Sequence, residues 1–288
     1  MYEGYWKRWS LFCNEKHCNQ YSTSINIILE FLQSLVDQGL GYNSINSARS
    51  ALSLIVAPID KETVGNHHLV TRFLKGVFQS KPPTPKYNAI WDPADILTTI
   101  NNMNINEQLS LSDLSKKLVS LLMLTTGQRV QTIHSIRRSC ITFTKTGVTI
   151  TIPDLLKTSA PGRSQPIIQL DWYKHNSKLC VVKTLKEYVT KTAPLTQSDE
   201  LWITFIKPFK NASKATLARW LKDMLSIAQV DTSQYTAHSF RHASTSTALK
   251  AGVNIDVIFK NAGWSNRSSV LNKFYNKPIT SVQVFLLP

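Results

Sequence analysis

The sequence has few acidic residues, few cysteines and no long apolar run. It contains 18 Asp and Glu against 33 Lys and Arg, a formal net charge of +15 over 288 residues. No uninterrupted apolar stretch exceeds four residues, as in Leu121 to Leu124, whereas a membrane-spanning helix needs roughly 20. Four cysteines are too few for a disulfide framework of this size, and the N-terminus lacks the basic-then-apolar order of a secretion signal. We therefore expect a soluble intracellular protein with no membrane partner, and the 42% hydrophobic content predicts a packed core.

The excess positive charge lies mainly in the later part of the chain. Residues 1–80 hold seven Lys and Arg against six Asp and Glu, whereas residues 91–288 hold 24 against 12. A positive field of this size favours a polyanion such as nucleic acid as the partner. A basic surface also keeps proteins soluble, so the charge alone leaves both interpretations open.

Three prolines between Lys81 and Lys86 mark a boundary in the chain. Proline lacks an amide donor and imposes an extended backbone, so neither a helix nor a central strand passes through this segment. Before it, apolar residues recur at helical spacing, which predicts a small all-helical domain over residues 1–80. The helices are expected at about 5–17, from Ile25 to Val36, from Asn43 to Val56 and at about 66–79. Residues 81–90 are then a linker.

Residues 91–288 are predicted to form a second, mostly helical domain with one small sheet. Helices are expected at Pro93 and over Leu114 to Leu124. The alternating pattern of Ile141 to Ile152 predicts a β-hairpin, and Gln165 to Leu170 a third strand. From Lys178 to about residue 277 the pattern is helical again. The expected fold class is mainly α, with a small antiparallel β-sheet in the second domain.

Several short motifs carry side chains that suit a phosphate group. Arg129 ends the turn Thr126-Gly127-Gln128-Arg129, and its planar guanidinium matches a phosphate. His238 and Arg241 stand three apart at a predicted helix start, where the helix dipole also favours an anion. Each has an ordinary alternative: an arginine that pairs with a carboxylate, or a histidine that only caps a helix–turn–helix. Lys157 in a loop and Tyr275 near a helix end are, taken singly, unremarkable.

The order of these motifs resembles that of the tyrosine recombinase, or phage integrase, family, with a looser similarity to its eukaryotic Crypton and retroelement branches. The family has this succession of arginine, hairpin lysine, His-x-x-Arg, Gly-Trp and tyrosine, and the resemblance covers essentially the whole chain. It implies a helical core-binding domain at residues 1–80 and a catalytic domain at residues 91–288. The chain departs from the family at Thr132, where the family commonly has an acidic residue that supports the catalytic arginine and histidine. This departure puts the rate of the reaction in doubt more than its chemistry.

The resemblance implies site-specific DNA breakage and rejoining through a 3′-phosphotyrosyl intermediate. The tyrosine attacks phosphorus, the two arginines bind the non-bridging oxygens, and the lysine protonates the leaving 5′ oxygen. The histidine accepts or holds the tyrosine proton, and the tryptophan donates to a phosphate oxygen. The residues in these roles are Tyr275, Arg129, Arg241, Lys157, His238 and Trp264. No cofactor or metal is expected, since no carboxylate cluster has the layout of a two-metal nuclease.

The family also implies double-stranded DNA as partner and a tetramer on two DNA sites with exchange of C-terminal tails. Asn46 and Arg49 on one helix and Lys214 on another are the expected DNA contacts, with plain solvent exposure as the alternative. The tail residues Val282, Val284, Phe285 and Leu286 are expected to dock on a neighbouring protomer, with packing on their own domain as the alternative. The competing function is a recombinase-derived protein that binds DNA without cleaving it. The protein is expected in the nucleus if its host is eukaryotic, and otherwise in the cytoplasm or nucleoid.

Two cysteines near the N-terminus leave a further alternative. Cys13, His17 and Cys18 could suggest zinc, but no second pair of ligands lies near them in the sequence. The favoured interpretation is that Cys13 and Cys18 are two buried side chains of one helix.

Overall fold

The computed structural model describes residues 2–84, 86–156, 159–162, 165–264 and 278–280. The chain divides into two compact units, Met1–Lys86 and Tyr87–Pro288. None of the helices in the described ranges is both long and apolar enough to cross a lipid bilayer.

The first unit is all-helical, as the apolar spacing predicts. Its core consists of apolar side chains from every helix, including the fully buried Trp9, Leu32 and Ile45. The third helix ends four residues before the predicted Val56, because its last turn tightens through a bond from Leu54 N to Ala51 O and Pro58 follows. The four helices are α1 (Glu3–Glu15), α2 (Ile25–Asp37), α3 (Tyr42–Leu52) and α4 (His68–Ser80).

One interpretation of the first unit is wrong. Cys13 is buried in α1, but the helix ends at Glu15, and Cys18 lies beyond it and is only partly buried. The two cysteines therefore do not share a helix. The cause is a left-handed residue, His17 at φ 51°, which turns the chain away from the helix axis.

The second unit starts with a two-residue strand, β1 (Ile90–Trp91), and is then mostly helical. Its central helix is α6, which is buried on nearly all sides and packs against α8, α9 and α10. Pro93 begins α5 as predicted, with Asp92 as its cap. The helices are α5 (Pro93–Asn102), α6 (Leu111–Thr126), α7 (Val130–His134), α8 (Val181–Thr192), α9 (Lys214–Ile227), α10 (Ser239–Lys250) and α11 (Ile255–Ala262).

The predicted antiparallel sheet is confirmed, with three strands in chain order. They are β2 (Ile141–Phe143), β3 (Gly147–Thr151) and β4 (Ile167–Asp171). Ile150 pairs with Ile141 on one side and with Ile168 on the other, so the apolar face of β3 is buried. A fifth strand, β5 (Ile279–Thr280), pairs in parallel with β1, and Ile90 N donates to Pro278 O over 2.8 Å.

Candidate active site

The turn that carries Arg129 is shaped by the end of α6. Gly127 closes the helix in the left-handed conformation, φ 60°, and its N–H donates to Met123 O over 3.1 Å. Gln128 then points inward, is almost fully buried and donates through Nε2 to Asn261 O at 2.6 Å. The inward Gln128 and the left-handed Gly127 place Arg129 at the N-cap of α7, where it is half-buried.

Arg241 on α10 is fully buried and joins two helix ends. Its Nη1 donates to Gly127 O at the end of α6 and to Ala262 O, 2.7 Å away, at the end of α11. The carbonyl end of a helix carries partial negative charge, so a buried cation is stabilised at the meeting point of two such ends. Arg241 therefore fixes the Arg129 turn and the end of α11 to α10.

Trp264 lies over the same guanidinium. Gly263 ends α11 in the left-handed conformation, φ 67°, and so turns the chain back towards α10. The Trp264 ring centroid is 4.0 Å from Cζ of Arg241, and the rings of Trp264 and Phe259 are perpendicular, with centroids 6.1 Å apart. This is a cation–π contact, which holds Trp264 through its ring face. The sequence motif predicted a role for the indole N–H and gave no sign of the stacking.

His238 sits at the start of α10 and is exposed to solvent. Its ring is perpendicular to that of the buried His242, with centroids 5.2 Å apart, and His242 contacts Tyr87 in turn at 5.3 Å. The next residue, Ser239, accepts a hydrogen bond from Trp91 Nε1 at 2.8 Å. His238 is therefore placed by the α10 N-terminus and by the β1 segment.

Thr132 is buried in α7, three residues after Arg129. In the described part of the chain the Arg129 side chain makes no hydrogen bond and no ion pair. A carboxylate at residue 132 would neutralise part of this positive charge. Its absence leaves the site more basic than an acidic residue there would allow.

Arg241 contacts Trp264 and the turn that carries Arg129, and His238 lies one helical turn before Arg241 at the start of α10. Lys157 and Tyr275 lie outside the described residues, as do tail residues 281–288. Pro278, three residues after Tyr275, is bonded to Ile90 in β1, whose neighbour Trp91 contacts Ser239. The chain thus returns to the His238 side of the cluster soon after the tyrosine.

The three expected DNA contacts fall on two helices. Asn46 and Arg49 lie on α3, both half-buried, and Arg49 Nη1 donates to Gly65 O at 3.1 Å, so part of its guanidinium supports the fold. Lys214 is exposed at the first turn of α9, where its charge is opposed by the helix dipole.

Arg49 also lines a groove between α3 and α4 that sequence reasoning missed. The groove combines cationic and aromatic side chains, and its other lining residues include Tyr42, Lys75 and Phe78. Tyr42 and Phe78 pack edge to face, with centroids 5.2 Å apart. The exposed Lys75 and Phe78 on α4 were the available sequence signal.

Comparison with known proteins agrees with this architecture. The sequence model of the phage integrase family matches residues 93–279. Among solved structures, the chain is similar to the XerH site-specific recombinase bound to its difH substrate, with a TM-score of 0.57, 15% identity, and coverage of 86% of this chain and 66% of that one. The chain is also similar to the Tn1549 transposon integrase in complex with circular intermediate DNA, with a TM-score of 0.59, 14% identity, and coverage of 89% of this chain and 82% of that one. For a lambda integrase dimer bound to a COC′ core site, the TM-score is 0.51 and the identity 15%, with coverage of 88% of this chain and 65% of that one.

These structural similarities establish the fold, since all are below 25% identity. The chain spans about two thirds of the length of the XerH and lambda integrase chains. None of the curated protein sequences matches it at a significant level.

Proposed function

The chain belongs to the phage integrase family, and on that premise we propose that it breaks and rejoins double-stranded DNA at specific sites through a 3′-phosphotyrosyl intermediate. The observation that carries the proposal is the position of Arg241, which joins the Arg129 turn to the end of α11 beneath Trp264. Arg241 thereby contacts Trp264 and the turn that carries Arg129, and His238 lies one helical turn before it at the start of α10. The DNA-bound states of XerH, the Tn1549 integrase and the lambda integrase support DNA as the substrate.

In the proposed reaction, Tyr275 Oη forms a bond to phosphorus as the bond from phosphorus to the 5′ oxygen breaks. The tyrosine proton passes to His238, and Lys157 supplies a proton to the leaving 5′ oxygen. Rejoining reverses these transfers, so the bond energy is conserved and no nucleotide cofactor is needed.

The arginines stabilise the charge that develops on the non-bridging oxygens of the phosphate. Arg129 is half-buried and makes no side-chain bond among the described residues, so its fork is available to a ligand. The two carbonyl contacts of Arg241 Nη1 fix the plane of its guanidinium in advance. Because Arg241 is fully buried here, a phosphate reaches it only when side chains that cover it shift, and Trp264 is one of the side chains in contact with it. We infer that DNA binding drives this shift.

The competing function is DNA binding without cleavage, which Thr132 in place of an acidic residue favours mildly. Occupancy alone does not require an arginine such as Arg241, whose guanidinium is fixed by the carbonyls of two helix ends. A test for a covalent protein–DNA bond separates the two functions.

The experiment uses duplexes enriched from a randomised pool by gel-shift selection with the full chain, then nicked near the centre so that cleavage releases a short fragment. We expect a covalent adduct in denaturing gels with EDTA present, and no adduct with Tyr275→Phe, because only the nucleophilic oxygen is removed. Tyr173→Phe, at an exposed tyrosine, is the matched control and should retain the adduct. Binding should be unchanged in both variants. An adduct in Tyr275→Phe refutes the choice of nucleophile, and no adduct with the wild type supports occupancy alone.

Finer features extend the same proposal. Residues 1–80 serve as the core-binding domain, residues 81–90 as the linker and residues 91–288 as the catalytic domain, with Asn46, Arg49 and Lys214 contacting DNA. The protein acts on a mobile element, in the nucleus if its host is eukaryotic. Four protomers assemble on two DNA sites and exchange tails. The pairing of β5 with β1 supports this exchange, since it makes the C-terminal segment an added strand that a neighbour can also supply.

A further inference from the structure

The end of α1 brings two thiols together through its backbone. Cys18 N donates to Cys13 O at 3.0 Å, and His17 N donates to Asn14 O at 3.3 Å, with His17 left-handed. This pair of bonds is the Schellman motif. In it, the two residues joined by the bond that spans five positions, here Cys18 to Cys13, commonly make an apolar side-chain contact. Here those two residues are both cysteines.

The geometry is compatible with a disulfide. With standard backbone dimensions, a 3.0 Å hydrogen bond between two residues keeps their Cα atoms within about 7 Å of each other. A disulfide needs Cα atoms about 4.4–6.8 Å apart. Both cysteines pack in the same apolar cluster. Burial, then the neighbouring Cys18, raises the pKa of the Cys13 thiol to about 12.

The surroundings hold the two cysteines together. Trp9 Nε1 donates to Gln20 O at 2.9 Å, just after Cys18, and Lys16 between them pairs with Glu30 at 2.7 Å. Cys13 is 1% exposed within the core, whereas Cys18 is accessible from solvent. Cys18 is therefore the more exposed of the two cysteines, and Cys13 is its buried partner.

We propose that Cys13 and Cys18 form an oxidation site that hydrogen peroxide converts reversibly into an intramolecular disulfide. The Cys18 thiolate attacks one peroxide oxygen and the O–O bond breaks, giving a sulfenic acid. The departing hydroxide takes up the proton that the Cys18 thiol had lost and leaves as water. The Cys13 sulfur then displaces the hydroxyl group from Cys18 as a second water, and its thiol proton goes to that oxygen. Two thiols lose two electrons to the peroxide, and the new bond ties the last turn of α1 to the segment before α2.

The test uses the full reduced chain, because the protein's own trypsin sites report the bond. Trypsin cleaves after Arg8, Lys16 and Arg49, so Cys13 and Cys18 fall on separate peptides, residues 9–16 and 17–49. After stoichiometric peroxide and alkylation with N-ethylmaleimide, we expect these peptides to be linked in most molecules and released by dithiothreitol. Linkage to Cys140 or Cys180, or unlinked alkylated peptides, overturns the proposal.

Two variants complete the design. Cys18→Ser should lose the linked peptides, and Cys140→Ser, at a half-buried cysteine elsewhere, should keep them at the wild-type yield. Intermolecular dimers that disappear with Cys18→Ser would overturn the intramolecular bond. Because the wild-type measurement needs no variant, a folding defect in Cys18→Ser does not remove the test.

Discussion

Gly127→Ala tests whether the end of α6 builds the candidate active site. Gly127 has φ 60°, a conformation that costs a residue with a Cβ roughly 1–2 kcal/mol. An added Cβ would also lie 3.1 Å from Cγ2 of Thr245 on α10, so α6 and α10 must separate slightly. Overpacking of this kind costs about 1–3 kcal/mol. We expect a total loss of about 2–5 kcal/mol in the free energy of unfolding of the second unit.

The same substitution should lower the rate of DNA cleavage by more than the loss of folding stability alone explains. The carbonyl of Gly127 accepts from Arg241 Nη1, so any shift of the turn moves both arginines of the cluster. The matched control is Gly252→Ala: Gly252 has φ 78°, but a Cβ there meets nothing within 4 Å. This control should lose only the roughly 1–2 kcal/mol of backbone strain and keep its cleavage rate. Urea unfolding followed by near-ultraviolet circular dichroism, and the rate of covalent adduct formation, measure the two effects. Equal losses in the two variants would show that the turn does not organise the site.

Two further predictions concern a buried lysine and the C-terminal tail. Lys117 is fully buried with Nζ 2.7 Å from Asn106 Oδ1, and burial, then Lys178 and Lys183, lowers its pKa to about 8. Because the unfolded value is 10.5, the charged form destabilises the fold below pH 8, and stability rises between pH 8 and 10.5. Lys117→Met should therefore stabilise the protein by about 1–3 kcal/mol at pH 7 and flatten this rise in urea unfolding, and an unchanged pH profile contradicts the assignment. Deletion of residues 281–288 should leave single-site DNA binding intact but weaken pairing of two sites in native gels, and full pairing by the truncated chain refutes tail exchange.

Local sequence patterns predicted most of the fold because the relevant interactions are local. The spacing of apolar residues located the helices of the first unit, and alternation located the three-strand sheet. The errors arose where backbone turns override periodicity. The early end of α3 follows from i→i+3 bonds before Pro58, and the separation of Cys18 from α1 follows from left-handed His17.

The contacts that assemble the site were beyond sequence reasoning. Motif order singled out Arg129, Arg241 and Trp264, but nothing in the sequence indicates that Gln128 donates to Asn261 or that Trp264 stacks on Arg241. Such contacts join residues more than 20 positions apart and depend on where helices end in space. Local patterns predict helix ends least well.

The site is built on helix termini, and this has a physical consequence for how it responds to DNA. Gly127 and Gly263 end α6 and α11 in the left-handed conformation. The carbonyls of Gly127 and Ala262 at these two ends supply the partial negative charge that holds Arg241. In the proposed reaction a phosphate brings a full negative charge to the same guanidinium, so the ligand and the helix ends would compete for one cation. The carbonyl contacts are charge-assisted hydrogen bonds, whereas Trp264 contacts the guanidinium through its ring face. The weaker contact should therefore yield first, which makes Trp264 the element that moves aside while the arginine and its helix ends stay in place.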